Sequence, residues 1–250
     1  GYDVQKATHN KFIDMTLELG GKDPAYARYD CDLEKTVENL VDGSFFNSGQ
    51  SCCGIERIYV DEKIYNNFLE LFVSKTYNYK LGNPLDKETN LGPVVKLSAA
   101  EFILKQMNTA IDKGAVKMID ENKFKFPKEH KNYLIPQVLT GVNHEMSFMT
   151  EETFGPCVGI MKVKNENDAI QLMNDSPYGL TASIWTRDLE VAETIGNQVE
   201  TGTFYMNRCD YLDPALSWTG VKETGKGCSL SEIAYEKLTA PKSFHLRKEQ

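Results

Sequence analysis

Hydrophobic residues recur along much of the chain at the spacing of amphipathic helices. Behind Asp30 and Asp32, which can cap a helix, one apolar face follows at the i, i+4, i+7 and i+8 positions: Leu33, Val37, Leu40, Val41 and Phe45. Asp61 is placed to cap a second helix, whose apolar stripe is formed by Ile64, Phe68, Leu71 and Phe72. The pattern predicts two helices, with a short strand at residues 58–60 between them.

A third helix is predicted from Ser98 and Glu101, whose S-x-x-E spacing is that of a capping box. Its apolar positions are Phe102, Leu104, Met107 and Ile111. Gly114 ends this helix, and the apolar residues at 116–119 predict a strand directly after it.

Helical and extended patterns continue to alternate downstream. Helices are predicted around residues 168–173 and 189–199, and strands at Thr181–Trp185 and Thr203–Met206. This alternation indicates an α/β fold with a largely parallel sheet in one compact unit. The lysine-rich stretch 121–132 is predicted to be an exposed loop, and residues 242–247 alternate like an edge strand.

Composition narrows the class of protein. The chain has 250 residues, 41% hydrophobic and 26% charged, which is typical of a soluble globular protein. A net charge of −8 argues against nucleic acid or an anionic membrane as the main partner. No apolar run approaches a membrane span. Six cysteines without C-x-x-C pairing and four histidines without ligand spacing predict reduced thiols in a cytoplasmic setting and no metal site.

Two adjacent thiols are the first candidate for chemistry. Residues 45–53 read F-F-N-S-G-Q-S-C-C, which places Cys52 and Cys53 just beyond a helix and a glycine. A reactive thiol must be reachable and partly ionised, and a tight glycine turn near a helix terminus can supply both conditions. Buried free cysteines are often only small apolar fillers, however, and this segment alone favours that interpretation.

Carboxylates supply two further candidates. Glu18 lies between two leucines in L-E-L-G-G-K, so it is either exposed on a half-buried strand or buried with a raised pKa that suits a general base. Residues 151–156 read E-E-T-F-G-P. By default these segments are a strand end and a solvated turn. The alternative for the second is a carboxylate that accepts hydrogen bonds from sugar hydroxyls, beside an aromatic ring that packs on a flat heterocycle.

The three segments together resemble the aldehyde dehydrogenase superfamily over nearly the whole chain. That superfamily carries L-E-L-G-G-K, F-x-N-x-G-Q-x-C and E-E-x-F-G-P in this order. Glu18 and Cys52 are 34 residues apart, the interval that the family uses between its base and its nucleophile. Residues 82–84, 178–180 and 202–203 add weaker similarity.

The resemblance implies an α/β catalytic domain, with a parallel sheet and helices on both faces, that oxidises an aldehyde with NAD or NADP. Cys52 would be the nucleophile that forms a thiohemiacetal and then a thioester, with its own backbone N–H in the oxyanion hole. Glu18 would be the base that activates the hydrolytic water, which favours a free acid as the product.

Further roles follow from the same resemblance. Glu152 would bind the nicotinamide ribose, Phe154 would pack beside the nicotinamide, and Asn207 would support the active-site loop from behind. The aldehyde tunnel would be lined by Trp218, Tyr211, Leu212 and Cys209. The absence of an obvious basic anchor other than Arg208 favours an uncharged aldehyde.

The resemblance also predicts how the chain is organised. Residues 1–16 would end a nucleotide-binding domain that precedes Gly1 and is largely missing, residues 17–230 would form the catalytic domain, and residues 231–250 would carry an oligomerisation strand. A homo-oligomer, dimer or tetramer, is therefore expected. Two alternatives remain open: a non-catalytic structural or assembly module, and a thiol-dependent esterase.

Overall fold

The structure, a computed structural model, describes residues 1–125 and 130–248. The helices in these residues are α1 Tyr2–Thr8, α2 Leu33–Phe45, α3 Tyr65–Thr76, α4 Leu97–Asp112, α5 Ser147–Thr150, α6 Glu166–Asn174, α7 Leu189–Gly196 and α8 Ile233–Leu238. The strands are β1 Leu17–Glu18, β2 Asp23–Ala27, β3 Ile55–Asp61, β4 Val116–Lys117, β5 Gln137–Thr140, β6 Cys157–Val163, β7 Tyr178–Gly179, β8 Thr181–Trp185, β9 Thr203–Met206, β10 Val221–Lys222 and β11 Gly225–Lys226.

A seven-stranded sheet organises the molecule, in the order β4-β5-β6-β3-β2-β8-β9. Every neighbouring pair from β5 to β9 is parallel, and only the short edge strand β4 runs antiparallel. Two small antiparallel ribbons, β1 with β11 and β7 with β10, stand apart from this sheet. The α/β class and the largely parallel sheet are therefore confirmed.

Helices cover both faces of the sheet because successive strand residues point to opposite sides. On β2, Ala25 and Ala27 pack into the core beneath α2 and α3, whereas Tyr26 belongs to the core beneath α6 and α7. Helix α4 packs over β5 and β6 through a third apolar cluster that includes Leu139. Strands buried on both faces explain the near-continuous apolar runs in the sequence.

Helix α2 forms as its apolar stripe predicts. Asp32 is the N-cap, and its carboxylate accepts a hydrogen bond from Lys35 N at 3.3 Å. Val37, Leu40 and Phe45 are buried on one face. The strands at Thr181–Trp185 and Thr203–Met206 have the predicted bounds.

Two predicted caps are wrong. Asp61 ends β3, and its carboxylate accepts from Lys63 N while Ile64 is the N-cap of α3. Helix α4 begins at Leu97, so Ser98 lies inside its first turn and no side chain caps it. The edge β4 is also shorter than the predicted strand, because it pairs with β5 over two residues only.

The buried face of α4 also differs from the predicted one. Phe102 and Leu104 are exposed, and Ile111 is only half-buried. The face that packs on the core carries Ala100, Ile103, Gln106, Met107 and Ala110. Both stripes have helical spacing, and the one with alanines is buried because small side chains let the helix approach the sheet closely. Met107 alone belongs to both.

The end of the described chain is exposed and has no regular secondary structure. Residues 242–247 form no strand with the described residues, so the prediction of an ordinary edge strand of this sheet is wrong. Strand addition to a second chain stays a prediction, as do the three domain boundaries. Of the loop predicted at 121–132, residues 126–129 lie outside the described residues. Phe124 in that loop is buried, and residues 121–123 form a 3-10 turn.

The described residues contain neither a membrane-spanning helix nor a cluster of metal ligands. None of the helices at 1–125 and 130–248 is long and apolar enough to cross a membrane. In the same ranges, no group of three or more His, Cys, Asp and Glu side chains is arranged to hold a metal ion.

Candidate active site

The three motifs of the sequence meet at one edge of the sheet. Lys22 directly precedes β2, Gly54 precedes β3, and Pro156 precedes β6. These strands are adjacent and parallel in the order β6-β3-β2. Segments that enter neighbouring parallel strands lie side by side, so residues 130 positions apart in the chain can share one site at the amino ends of the strands.

The loop before Cys52 is held by its own amide side chains. Asn47 Nδ2 donates to the carbonyl of Gln50, and Gln50 Nε2 donates to the carbonyl of Asn47, both at 3.0 Å. The Gln50 side chain also accepts from Val95 N at 2.8 Å, and Ser48 Oγ donates to the Gly92 carbonyl at 2.7 Å. Asn47 and Ser48 have positive φ angles of 49° and 59°, so these bonds stabilise a strained turn.

Glycines allow the three segments to touch. A Cβ atom on Gly21 would lie 2.5 Å from the backbone oxygen of Cys52. A Cβ atom on Gly49, whose φ is +69°, would overlap the backbone oxygen of Gly155. Any larger residue at these positions would push the segments apart.

Cys52 is exposed and set up to ionise near neutral pH. Its pKa is lowered to about 7, chiefly by a hydrogen bond from the Cys53 thiol and also by its own backbone N–H. Partial burial and the negative charges of Asp210 and Glu152 oppose this shift. A substantial fraction of Cys52 is therefore thiolate at neutral pH.

Cys53 differs from its neighbour in both burial and charge. It is buried, and its Sγ donates to Asp210 Oδ1 at 2.8 Å. The same carboxylate oxygen accepts a hydrogen bond from Ser51 Oγ at 3.1 Å. The bond with Cys52, burial and the Asp210 carboxylate all raise the pKa of Cys53, which stays protonated. Sequence reasoning named the neighbours Cys209 and Tyr211 but missed Asp210.

Glu152 and Phe154 lie beside the nucleophile segment. Glu152 Oε1 accepts a hydrogen bond from Gly21 N at 2.9 Å, and Oε2 accepts none from the residues that the structure describes. Burial raises the pKa of Glu152 above its usual range. The Phe154 ring is 41% exposed, on a backbone with a φ of 54°. The turn therefore presents a free carboxylate oxygen and an open aromatic face.

A buried ion pair stabilises the turn that carries Glu152 and Phe154. Lys22 Nζ lies 2.5 Å from Glu56 Oε2, with both side chains almost fully buried. Glu56 also accepts hydrogen bonds from the backbone N–H groups of Thr153 and Phe154, each at 2.8 Å. The Thr153 hydroxyl accepts from Lys22 Nζ at 2.8 Å and donates to Gln106 Oε1 at 2.6 Å. Sequence reasoning missed Glu56, although a glutamate in a strand with several apolar residues can signal a buried charge that needs partners.

Glu18 occupies a different environment. It is exposed on the β1–β11 ribbon, and its carboxylate accepts a hydrogen bond from the Ser229 hydroxyl. No hydrogen bond joins Glu18 to Cys52 within the described residues. Of the two environments that the sequence allowed for this carboxylate, the exposed strand is the observed one.

The predicted tunnel residues are only partly brought together. Trp218 is buried and packs in one cluster with Cys53 and Leu180. Cys209 faces α2, where its Sγ would lie 2.6 Å from a Cβ atom on Gly43. Tyr211 is 37% and Leu212 50% exposed in the same loop.

Asn207 supports the loop that follows β9. Its Oδ1 accepts from Thr186 N at 3.0 Å, and its Nδ2 donates to the Thr186 carbonyl at 2.8 Å. It therefore fixes the end of β9 against the end of β8, as a structural support would.

Comparison with known proteins shows the family of the chain. The sequence profile of the Aldehyde dehydrogenase family matches residues 1–244. The chain belongs to the aldehyde dehydrogenase family. It is 35% identical over 234 residues to aldehyde dehydrogenase 1A1 of Oryctolagus cuniculus, across 93% of this chain and 46% of that protein. It is 33% identical over 245 residues to an aldehyde dehydrogenase of Davidiella tassiana, across 98% and 49%.

Solved aldehyde dehydrogenases share the fold. The betaine aldehyde dehydrogenase of Staphylococcus aureus, solved in complex with NAD+, superposes with a TM-score of 0.88 at 30% identity. That match covers 95% of this chain and 47% of the other. The chain thus spans about half the length of the relatives that it matches.

Proposed function

We propose that this chain supplies the nucleophile, and part of the cofactor site, of an NAD(P)-dependent aldehyde dehydrogenase that releases a carboxylic acid. The observation that carries the proposal is the exposed Cys52, with a pKa of about 7, beside the free Glu152 carboxylate oxygen and the open Phe154 ring. In the first step the Cys52 thiolate attacks the aldehyde carbon, and the carbonyl oxygen becomes an oxyanion. The Cys52 backbone N–H is available to donate to it.

The residues present fit a nicotinamide cofactor. A partly buried carboxylate with a free oxygen suits the two hydroxyls of a ribose, and an exposed ring on a fixed turn suits the face of a heterocycle. Glu152 would therefore bind the nicotinamide ribose and Phe154 would position the ring. A bound nicotinamide would supply the acceptor for the hydride that leaves the reacting carbon, so that a thioester would remain on Cys52.

Glu18 is proposed to complete the reaction as the base. A carboxylate on an exposed ribbon can accept a proton from water, and the Ser229 hydroxyl restrains its side chain. The activated water attacks the thioester carbon. The acid then leaves, and Cys52 is restored as a thiolate.

The loop that follows Asn207 favours an uncharged aldehyde. The Arg208 guanidinium stacks on the Tyr211 ring, so the one basic residue of this loop already has a partner. The remaining candidates for a substrate wall are the apolar Trp218 and Leu212 and the neutral thiol of Cys209, whose pKa burial raises to about 12. We propose as well that the protein is a homo-oligomer, because the exposed residues 242–247 are free to add to another chain's sheet.

The decisive experiment measures aldehyde-dependent reduction of NAD+ and of NADP+ by the full-length protein. Cys52→Ala is expected to abolish it, whereas Cys228→Ala, at a half-buried cysteine elsewhere, should leave it near the wild-type rate. Turnover that survives in Cys52→Ala contradicts the proposal. If neither cofactor is reduced but Cys52-dependent ester hydrolysis persists, the thiol esterase is the better description.

The role of Glu18 has a separate kinetic signature. Glu18→Gln should still give a first burst of reduced cofactor, because hydride transfer precedes hydrolysis, but steady turnover should fall by about 10²–10⁴-fold. A Glu18→Gln protein without a burst would place Glu18 in the first half of the reaction instead.

A further inference from the structure

One carboxylate oxygen binds both chain neighbours of the nucleophile. Asp210 Oδ1 accepts from Ser51 Oγ at 3.1 Å and from Cys53 Sγ at 2.8 Å, and these two side chains lie 3.5 Å apart. Cys52, which stands between them in the chain, is exposed, whereas Cys53 is buried. Asp210 itself has a φ of 46°, so the backbone is held in an unfavourable region to place this side chain.

The arrangement fixes the direction of the Cys52 side chain. Ser51 and Cys53 are directed to the same carboxylate, so the residue between them must project elsewhere. The Cys53 side is further anchored because Trp218 and Leu180 pack in the same apolar cluster. The direction of the Cys52 side chain is therefore set by the contacts that hold its two chain neighbours.

The arrangement also decides which thiol loses its proton. A carboxylate beside a thiol disfavours ionisation of that thiol. The effect is strongest where the carboxylate accepts a hydrogen bond from the S–H group. Asp210 makes that bond with Cys53 and acts on Cys52 only through space. The charged and titratable groups that act on these two thiols are Asp210, Glu152, Asp23 and Tyr205. Asp42 acts on Asp210, and Arg208 acts on Tyr205. Among them, Asp210 is the carboxylate that bonds to one thiol and not to the other.

We propose that Asp210 is a positioning residue that holds Ser51 and Cys53 and keeps the Cys53 proton on its sulfur, so that Cys52 alone of the adjacent thiols forms an accessible thiolate. This inference rests on the proposed role of Cys52 as the nucleophile. It requires no change in the number of protons or electrons, because Asp210 accepts hydrogen bonds and transfers nothing.

The test is a pH profile of thiol alkylation in the 250-residue chain. Brief treatment with limiting iodoacetamide, followed by peptide mass spectrometry, gives separate rates for Cys52 and Cys53. The variants are Asp210→Asn, which has the same shape without the charge, and Asp210→Ala, which also lacks the acceptor. Asp213→Asn is the matched control, because this nearby carboxylate accepts from Ala215 N in its own loop.

In the wild type, labelling at Cys52 should far exceed labelling at Cys53, with a midpoint near the pKa of about 7. Asp210→Asn should move the Cys52 midpoint to lower pH, because a repelling charge is removed, and the midpoint of Cys53 should fall further. The Cys52 to Cys53 labelling ratio should drop about tenfold, which corresponds to one pKa unit between the two thiols. Asp210→Ala should additionally lower the plateau rate of Cys52. Asp213→Asn should change none of these values.

Unchanged midpoints and an unchanged labelling ratio in Asp210→Asn would overturn the inference. A uniform loss of labelling without a shifted midpoint would also overturn it, since a merely structural contact predicts that result. The proposed function fails in a different way, through turnover that survives in Cys52→Ala. The two outcomes are therefore distinguishable.

Discussion

The two ends of the L-E-L-G-G-K motif lie in contrasting environments, although only three residues separate them. Lys22 is 1% exposed and directs its ammonium to a buried glutamate and a threonine. Glu18 is exposed on a two-residue strand, and a serine hydroxyl is its side-chain partner. The Lys22 end enters β2, an inner strand of the main sheet, whereas the Glu18 end belongs to a ribbon outside that sheet.

This difference matches the chemistry proposed for each end. A cofactor ring must be held in one orientation, and the turn that presents Phe154 is bonded through its backbone to a buried charge. A base that activates water must reach solvent and adjust its position after the first product leaves. The buried end of the motif therefore supports a part of the site that is held in place, and the exposed end carries a side chain that can change position.

The largest effect on stability is expected at the buried Lys22 end of the motif. Lys22→Met removes one partner of a buried ion pair and leaves the Glu56 charge uncompensated. We expect the free energy of unfolding to fall by about 3–5 kcal/mol, measured by urea titration. Lys117→Met is the control, because it breaks an exposed pair with Glu121 that contributes about 0.5 kcal/mol or less.

A double variant separates charge from packing. Lys22→Met combined with Glu56→Gln removes both charges and keeps an acceptor for the backbone N–H groups of the turn. It should regain a clear part of the lost stability. If Lys22→Met costs no more than Lys117→Met, the buried ion pair does not hold the turn.

A smaller effect is expected at Glu152, and it depends on pH. Burial raises its pKa, so the folded state keeps this proton to a higher pH than the unfolded chain does. The resulting stability is fully present below the unfolded pKa of about 4.3 and is lost as the pH rises through the folded pKa. Glu152→Gln should therefore stabilise the protein at neutral pH by roughly 0.5–2 kcal/mol and flatten the pH dependence.

The control for this effect is the adjacent carboxylate. Glu151 is exposed, so Glu151→Gln should change neither the unfolding free energy at neutral pH nor its slope with pH. A Glu152→Gln protein that is less stable at neutral pH than the wild type would show that this carboxylate is stabilising as it stands.

The sequence predicted the central fold well where a single apolar pattern decides the structure. Strands β8 and β9 have the predicted bounds, and helix α2 buries its predicted stripe because it has one possible apolar face. Helix α4 carries two apolar stripes, and periodicity alone does not show which of them meets the sheet. The caps failed for a related reason, since Asp61 can bond locally without starting a helix.

The candidate site divides in the same way. Cys52, Glu18, Glu152 and Phe154 were reached from local motifs, and their roles stay predictions until they are tested. Glu56 and Asp210 were not reached, because each acts on segments far away in the chain. Asp210 lies 157 residues from Cys53, and the pairing exists only once the loop after β9 has folded against the nucleophile.

The smallest expected effect tests the exposed end. Ser229→Ala removes the side-chain partner of Glu18, but water can replace an exposed hydroxyl. We expect the free energy of unfolding to change by about 0.5 kcal/mol at most. The alkylation midpoint of Cys52 should stay at its wild-type value, because the Ser229 hydroxyl bonds to Glu18 and, within the described residues, to neither Cys52 nor Cys53. A loss of stability approaching that of Lys22→Met would mean that the Glu18 ribbon is as firmly held as the turn above Glu56. The Glu18 and Lys22 ends of the motif would then be held equally firmly. A difference in side-chain freedom would no longer separate the proposed base from the proposed cofactor site.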